Sequence, residues 1–243
     1  MAPIFSGLVH VRFDSRPSVA GRRSRQTERD VCLCCVQTSL ASSLDTMSSI
    51  DQLNAADVTG FHGALLEHLK RGAVPPLVPS ATLWKAIEDN HHCNIALWDE
   101  EDQARRRDVP DSAIANSKRL IDGYNQRRND AIERIDELVL IALPSLPDTA
   151  QLHSETIGAL IDRLSILSLK LFHMDWQTRR GDVDADHRGI SSTRLARLRE
   201  QHADLAWCLD ELVRGCLAGA LRFKVYRQFK MYNDPKFNPW LTG

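Results

Sequence analysis

The chain has 243 residues, with 31 Lys+Arg against 32 Asp+Glu, a formal charge of -1, 43% hydrophobic and 6% aromatic residues. It is long enough to bury a sizeable core, too long for a disulfide-stapled mini-protein, and lacks the basic excess of a general nucleic-acid binder. No run approaches the roughly 18 consecutive apolar residues that would span a bilayer.

Residues 1–46 differ from the rest. Arg12, Arg16, Arg22, Arg23, Arg25 and Arg29 occur without any Lys, apolar residues are scattered, and no helical or strand period persists. Asp14, Glu28, Asp30 and Asp45 are too acidic for a transit peptide, and no apolar stretch follows a basic start as in a secretory signal. The segment reads as a disordered extension, with Met47 the expected translation start and residues 47–243 a single, slightly acidic helical domain. The Cys32-Leu-Cys34-Cys35 run lacks the C-x₂-C spacing of a zinc knuckle and a second Cys/His pair, so it reads as chance clustering. Cys93, Cys208 and Cys216 are isolated in helical patterns and read as small buried hydrophobes of a reducing cytoplasm.

From residue 50 onward the period is helical. Val58, Phe61, Leu65 and Leu69 predict a first helix ending at Arg71-Gly72, followed by an extended connection through Pro75, Pro76 and Pro79. Ser80 is the expected cap of a second helix running to about Arg107, before Pro110. Asp111 or Ser112 is the expected cap of a third, striped by Ile114, Lys118, Ile121, Asn125, Arg128, Ile132, Ile135, Val139 and Ala142, reaching Leu143 and stopped by Pro144 and Pro147. A fourth runs from near Thr156 to about Arg180; it is apolar on most sides and should be the central helix. After an acidic loop from Gly181 to Ser191-Ser192-Thr193, a fifth carries Leu195, Leu198, His202, Leu205, Leu209, Leu212 and Cys216 to about Gly219. The expected fold is all-α: an antiparallel bundle of about five long helices with an extended C-terminal tail from about residue 220. No strand pattern of useful length and no glycine-rich phosphate loop is present, which argues against Rossmann and P-loop folds.

Polar residues interrupt these stripes. Asn90, His91, Asn94, Trp98, Glu101, Asp102 and Arg105 fall on or beside the core-facing side of the second helix. Lys118, Asn125 and Arg128 take seam positions of the third, and Asp162, Arg163, Ser165, Lys170 and His173 interrupt the fourth. Such groups are costly in a bundle unless they pair with one another or meet a ligand. One reading is an ion-pair and amide network that fixes helix register. The other is a pocket between the second, third and fourth helices, where Arg105, Lys118, Arg128, Arg163 and Lys170 receive an anion and Asn90, Asn94 and Asn125 bond hydroxyls. Glu101, Asp102 and His91 are then the candidate proton-transfer groups.

Glu88-Asp-Asn-His91 has the E-x-x-H spacing of di-metal bundles, but no second helical copy exists, because Asp184-Ala-Asp-His187 falls in the expected acidic loop. No metal site and no cofactor is expected. The C-terminal stretch around Arg222, Phe223, Lys224, Tyr226, Phe229, Tyr232 and Trp240 mixes bases with aromatics. A tail whose Phe223, Tyr226, Phe229 and Trp240 pack on the bundle is preferred to a single-strand nucleic-acid binder.

The run Asn90-His-x-x-Asn94-x-x-Leu-Trp98-x-x-Glu101-Asp102-x-Ala-Arg105, the segment Asn125-Gln-x-Arg128-Asn129-Asp130, the segment Asp162-Arg163-Leu-Ser-Ile-Leu-x-Leu-Lys170-x-x-His173-Met174, and Tyr226-Arg-Gln-Phe-Lys-Met-Tyr-Asn-Asp-Pro-x-x-Asn-Pro239 together resemble the bacterial domain-of-unknown-function family DUF4254, over about residues 51–240. The resemblance implies an all-helical cytoplasmic protein with a role in cell-surface glycan assembly, and it carries over no catalytic residue. The expected function is binding or processing of an anionic sugar, such as a sugar phosphate or nucleotide sugar, with Trp98 stacking on the sugar and the arginines holding its anion. The alternatives are an adaptor that docks a protein partner such as a glycosyltransferase through its tail, and a di-metal carboxylate bundle.

Overall fold

The computed structural model describes residues 50, 53–72, 82–227 and 236–239. The expected start at Met47, the Cys32–Cys35 cluster, the proline-rich connection, the Ser80 cap, Phe229, Tyr232 and Trp240 lie outside them.

Five helices form the bundle: α1 (Ala55–Lys70), α2 (Thr82–Ala104), α3 (Asp111–Ala142), α4 (Ile157–Thr178) and α5 (Ala185–Leu217). Two two-residue strands, β1 (Gln151–Leu152) and β2 (Leu221–Arg222), pair in parallel. Local chemistry sets the helix starts. Asn54 accepts from the Asp57 N–H, Thr156 from Ala159 and Asp184 from His187, each satisfying a donor that the first turn leaves open.

The main departures from the sequence reading are at helix ends. α5 begins at Ala185 rather than near Ser191, because Asp184 caps it and only residues 179–184 turn the chain. Pro110, not Asp111 or Ser112, holds the cap position of α3, and α2 stops at Ala104 rather than Arg107. α5 ends at Leu217 with Ala218 as its cap, and Gly219, with a φ of +69°, then reverses the chain. The Ala220 N–H then donates to Gly215 O and the Gly219 N–H to Cys216 O, which closes the last turn and delivers residues 221–222 to β1.

α2 and α3 form one hairpin, α4 and α5 another. α4 packs against all four other helices and is the central one, as its apolar sequence predicts. α1 runs against the direction of α5, since Ala55 N meets Asp210 Oδ1 at 2.7 Å near one end while His62 faces His202 farther along.

The core is tiered. The larger tier includes Val58 of α1, Ile87 of α2, Ile135 and Val139 of α3, Ile161 and Leu164 of α4, and Leu209 and Leu212 of α5. A smaller tier joins Leu65 and Leu66 to Ile95 and Leu169. Between the two, at His62, Asn90, His91, Asn94, Asp162 and Ser165, the interior is polar yet closed to solvent.

Phe223 reaches the larger tier, whereas Tyr226 stays 77% exposed, so the tail is anchored by its first aromatic and not by its second. No described helix is long and apolar enough to cross a membrane.

Candidate functional site

The polar layer is organised by Asp162. Its Oδ1 accepts from Asn90 Nδ2 at 2.9 Å, Asn94 Nδ2 at 2.9 Å and Arg128 Nε at 2.8 Å. Its Oδ2 accepts from Arg128 Nη2 at 2.8 Å, giving the forked geometry that suits guanidinium to carboxylate. Three helices thus contribute to one buried carboxylate, and the desolvation of that charge is offset by four donors.

A second chain of bonds leads from Asn94 to α1. Asn94 Nδ2 also donates to Ser165 Oγ at 2.9 Å, Ser165 Oγ lies 2.7 Å from His91 Nδ1, and His91 Nε2 lies 3.2 Å from His62 O. A carbonyl can only accept, so the His91 proton sits on Nε2, and Nδ1 accepts from the Ser165 hydroxyl. The His62 ring stacks on His91 with centroids 4.3 Å apart. Burial pushes the His91 imidazole well below its ordinary range and that of His62 down to about 3.

The expected site residues divide into three groups. Asn90, His91, Asn94, Arg128 and Asp162 come together in this layer, with Ser165, also read as an interruption, completing it. Trp98 and His173 stack face to face, with ring centroids 4.3 Å apart, and burial lowers the imidazole of His173 to about 4. Asn125 is only partly buried on α3. The remaining residues are elsewhere. Glu101, Asp102, Arg105 and Lys118 sit toward the α2–α3 turn. There Arg105 Nη2 donates to Glu101 at 2.9 Å, and the side chains of Arg105, Asp102 and Lys118 are mostly solvated. The sequence stripe places Lys118 in the seam; the structure puts Ser117 there and Lys118 outside, because α3 outruns the core at this end.

Arg163 and Lys170 face α5, not the layer. They border an open cleft of about 700 Å³ between α4 and α5, lined also by His153, Glu155, Gln201 and Asp204 over an apolar floor that includes Leu160 and Leu205. Arg163 Nη1 bonds Glu155 Oε1, while Glu155 Oε2 is shielded from solvent and has no hydrogen-bond partner among the described residues. A pocket joining all the expected cations is therefore replaced by a closed network on one face of α4 and a cleft on another.

Three contributors went unread in the sequence. His62 occupies the buried stripe Val58-His62-Leu65-Leu66, a signal present in the spacing but assigned to Phe61. Asp136, on α3, accepts from the Gly158 N–H at 2.6 Å and anchors the start of α4; burial raises its carboxyl to about 6. A Cβ on Gly158 would lie 2.6 Å from Ile132 O and 2.8 Å from Asp136 Oδ1, so glycine sets how closely α4 approaches α3.

The E-x-x-H element does not act as a ligand pair. Both His91 nitrogens are engaged as described, and Glu88 bonds Lys85 at 2.9 Å. Among the described residues no three His, Cys, Asp or Glu side chains are grouped to hold a metal. Asp184 and His187 belong to the start of α5, with His187 Nε2 3.0 Å from Gln177 Oε1. Cys93, Cys208 and Cys216 are free thiols, and burial raises Cys93 and Cys216 to about 11.

A family model described as protein of unknown function (DUF4254) matches residues 84–225, from α2 to just past β2, and the chain belongs to that family. Comparison with the curated proteins and with the solved structures finds no match.

Proposed function

We propose that this DUF4254 member binds an anionic sugar, a sugar phosphate or nucleotide sugar, in the cleft between α4 and α5, as a cytoplasmic component of bacterial cell-surface glycan assembly. The observation that carries the reading is the composition of the cleft: Lys170 and Arg163 beside the acceptors Glu155, Asp204 and Gln201, over an apolar floor. A phosphorylated sugar needs this mixture, a cation for the phosphate and carboxylates or amides for hydroxyls, with aliphatic surface beneath the ring.

Binding is favoured over processing because Glu101, Asp102 and His91, the expected proton-transfer groups, do not line this cleft. Calorimetry with sugar phosphates, nucleotide sugars and inorganic phosphate tests the reading. Saturable binding of a phosphorylated sugar, weakened about tenfold or more by Lys170→Ala, is the expected result. Absence of binding by every member of the panel would refute it.

A second reading, an adaptor for a protein partner such as a glycosyltransferase, is favoured by the exposed aromatics near the C-terminus, Tyr226 and Phe237, beyond the Phe223 anchor. Replacing both with Ser would then abolish partner capture and leave sugar binding unchanged.

A further inference from the structure

We propose that the histidine layer is a proton-operated latch on α1: the helix stays docked while the His62 and His91 rings are neutral, and acidification releases it from the other four helices. α1 is suited to separate movement. It is a 16-residue helix, and it lies outside the family match, which begins at residue 84.

The geometry leaves no place for an added proton. His62 is 0% exposed, and neither ring nitrogen has a hydrogen-bond partner among the described residues. An imidazolium there would carry two N–H donors with nothing to receive them, face to face with the second ring of the pair. His91 is equally committed. A proton on Nδ1 would displace the Ser165 hydroxyl hydrogen, which would have to turn toward Asn94 Nδ2, itself a donor.

The groups facing His62 from its neighbours offer no compensating charge. α2 presents His91, with His92 beside it, and α5 presents His202, which lies 3.4 Å from Ser168 of α4. The carboxylate of Asp162 on α4 is occupied by Asn90, Asn94 and, from α3, Arg128. Asp210 of α5 accepts from the Ala55 N–H at the start of α1. Burial accordingly lowers His62, His91, His92 and His202 from the ordinary imidazole range. A lowered folded-state value means that docking is complete above the ordinary range, near pH 6.5. Docking then weakens as pH falls toward the folded value, by up to about tenfold per pH unit for each histidine that gains a proton on release.

Hydrogen exchange of residues 55–70, corrected for intrinsic rates and compared with residues 205–216 of α5, tests the latch between pH 7.5 and 4.5. In the full chain α1 should lose protection first and by at least tenfold per pH unit below about 6, with α5 still protected. His62→Leu should take up about one proton fewer on release and hold α1 at least tenfold better protected at pH 5, whereas His68→Gln should match the parent. If His62→Leu fails to fold, ring-nitrogen NMR of the parent replaces it, with His62 neutral at pH 5 in the docked state. Protection of α1 independent of pH, simultaneous loss of α1 and α5, equal behaviour of His62→Leu and parent, or a charged docked His62 each overturns the proposal.

Discussion

Asp162 and Arg163 are adjacent on α4 and inhabit different environments. Asp162 is 3% exposed, holds four hydrogen bonds from two other helices, and has no room for a ligand; Arg163, about 100° round the helix, is 54% exposed in its side chain and borders an open cleft. Opposite charges in one sequence motif therefore serve different ends. The difference lies in solvent access: a buried charge must be matched by protein groups, whereas an exposed one keeps its hydration and remains available to a ligand.

The sharpest way to break this comparison is Asp162→Leu, which leaves Asn90 and Asn94 buried with unmet donors and the partly buried Arg128 without its carboxylate. Urea unfolding should show a loss of about 3–5 kcal/mol, with much of it restored by adding Arg128→Met, because removing one partner costs more than removing both. A loss below about 1 kcal/mol would mean that water replaces the carboxylate readily and the layer is not closed.

Gly158→Ala probes the same closed face through packing. Because the added Cβ meets a backbone oxygen at 2.6 Å, α4 must shift, and a loss of about 2–3 kcal/mol is expected in the same measurement. An unchanged unfolding midpoint would place the two helices farther apart than described.

Asp136→Asn tests the electrostatics there. The carboxyl is raised to about 6, so its favourable contribution is complete below the ordinary carboxylate range and is lost as pH rises through about 6. The amide, which does not ionise, should match the parent near pH 3.5, gain on it steadily as pH rises, and lead by about 2–3 kcal/mol from pH 7 upward. The opposite pH trend would show that the Gly158 N–H and Thr156 outweigh burial.

The smallest effect on stability belongs to the open face. Lys170→Ala should change unfolding free energy by less than about 0.5 kcal/mol while removing most sugar-phosphate affinity, as expected for a solvated lysine. A large stability loss would make the cleft part of the core after all.

The all-α class, the central place of α4 and the membership of Asn90, His91, Asn94, Arg128, Asp162 and Ser165 in a polar interruption are legible in the sequence, since a 3.6-residue period locates polar groups on apolar stripes. Asp102, Arg105 and Lys118 carry the same signal yet are solvated, because the stripe continues past the end of the core that would bury it. His62 was readable as one residue of the α1 stripe. Asp136 and Gly158 were not, because their roles depend on the approach of α3 to α4 and on no spacing within either helix.

The amino-acid sequence by itself determined the all-helical class, the approximate span of each helix, and which segments carry charge toward the interior. Tertiary packing alone decided which of those charges are enclosed. Periodicity fixes the angle of a side chain about its own helix axis, but exposure depends on what the neighbouring helices cover. At α4 that covering leaves Asp162 inside a network and the next residue, Arg163, at the edge of a cleft.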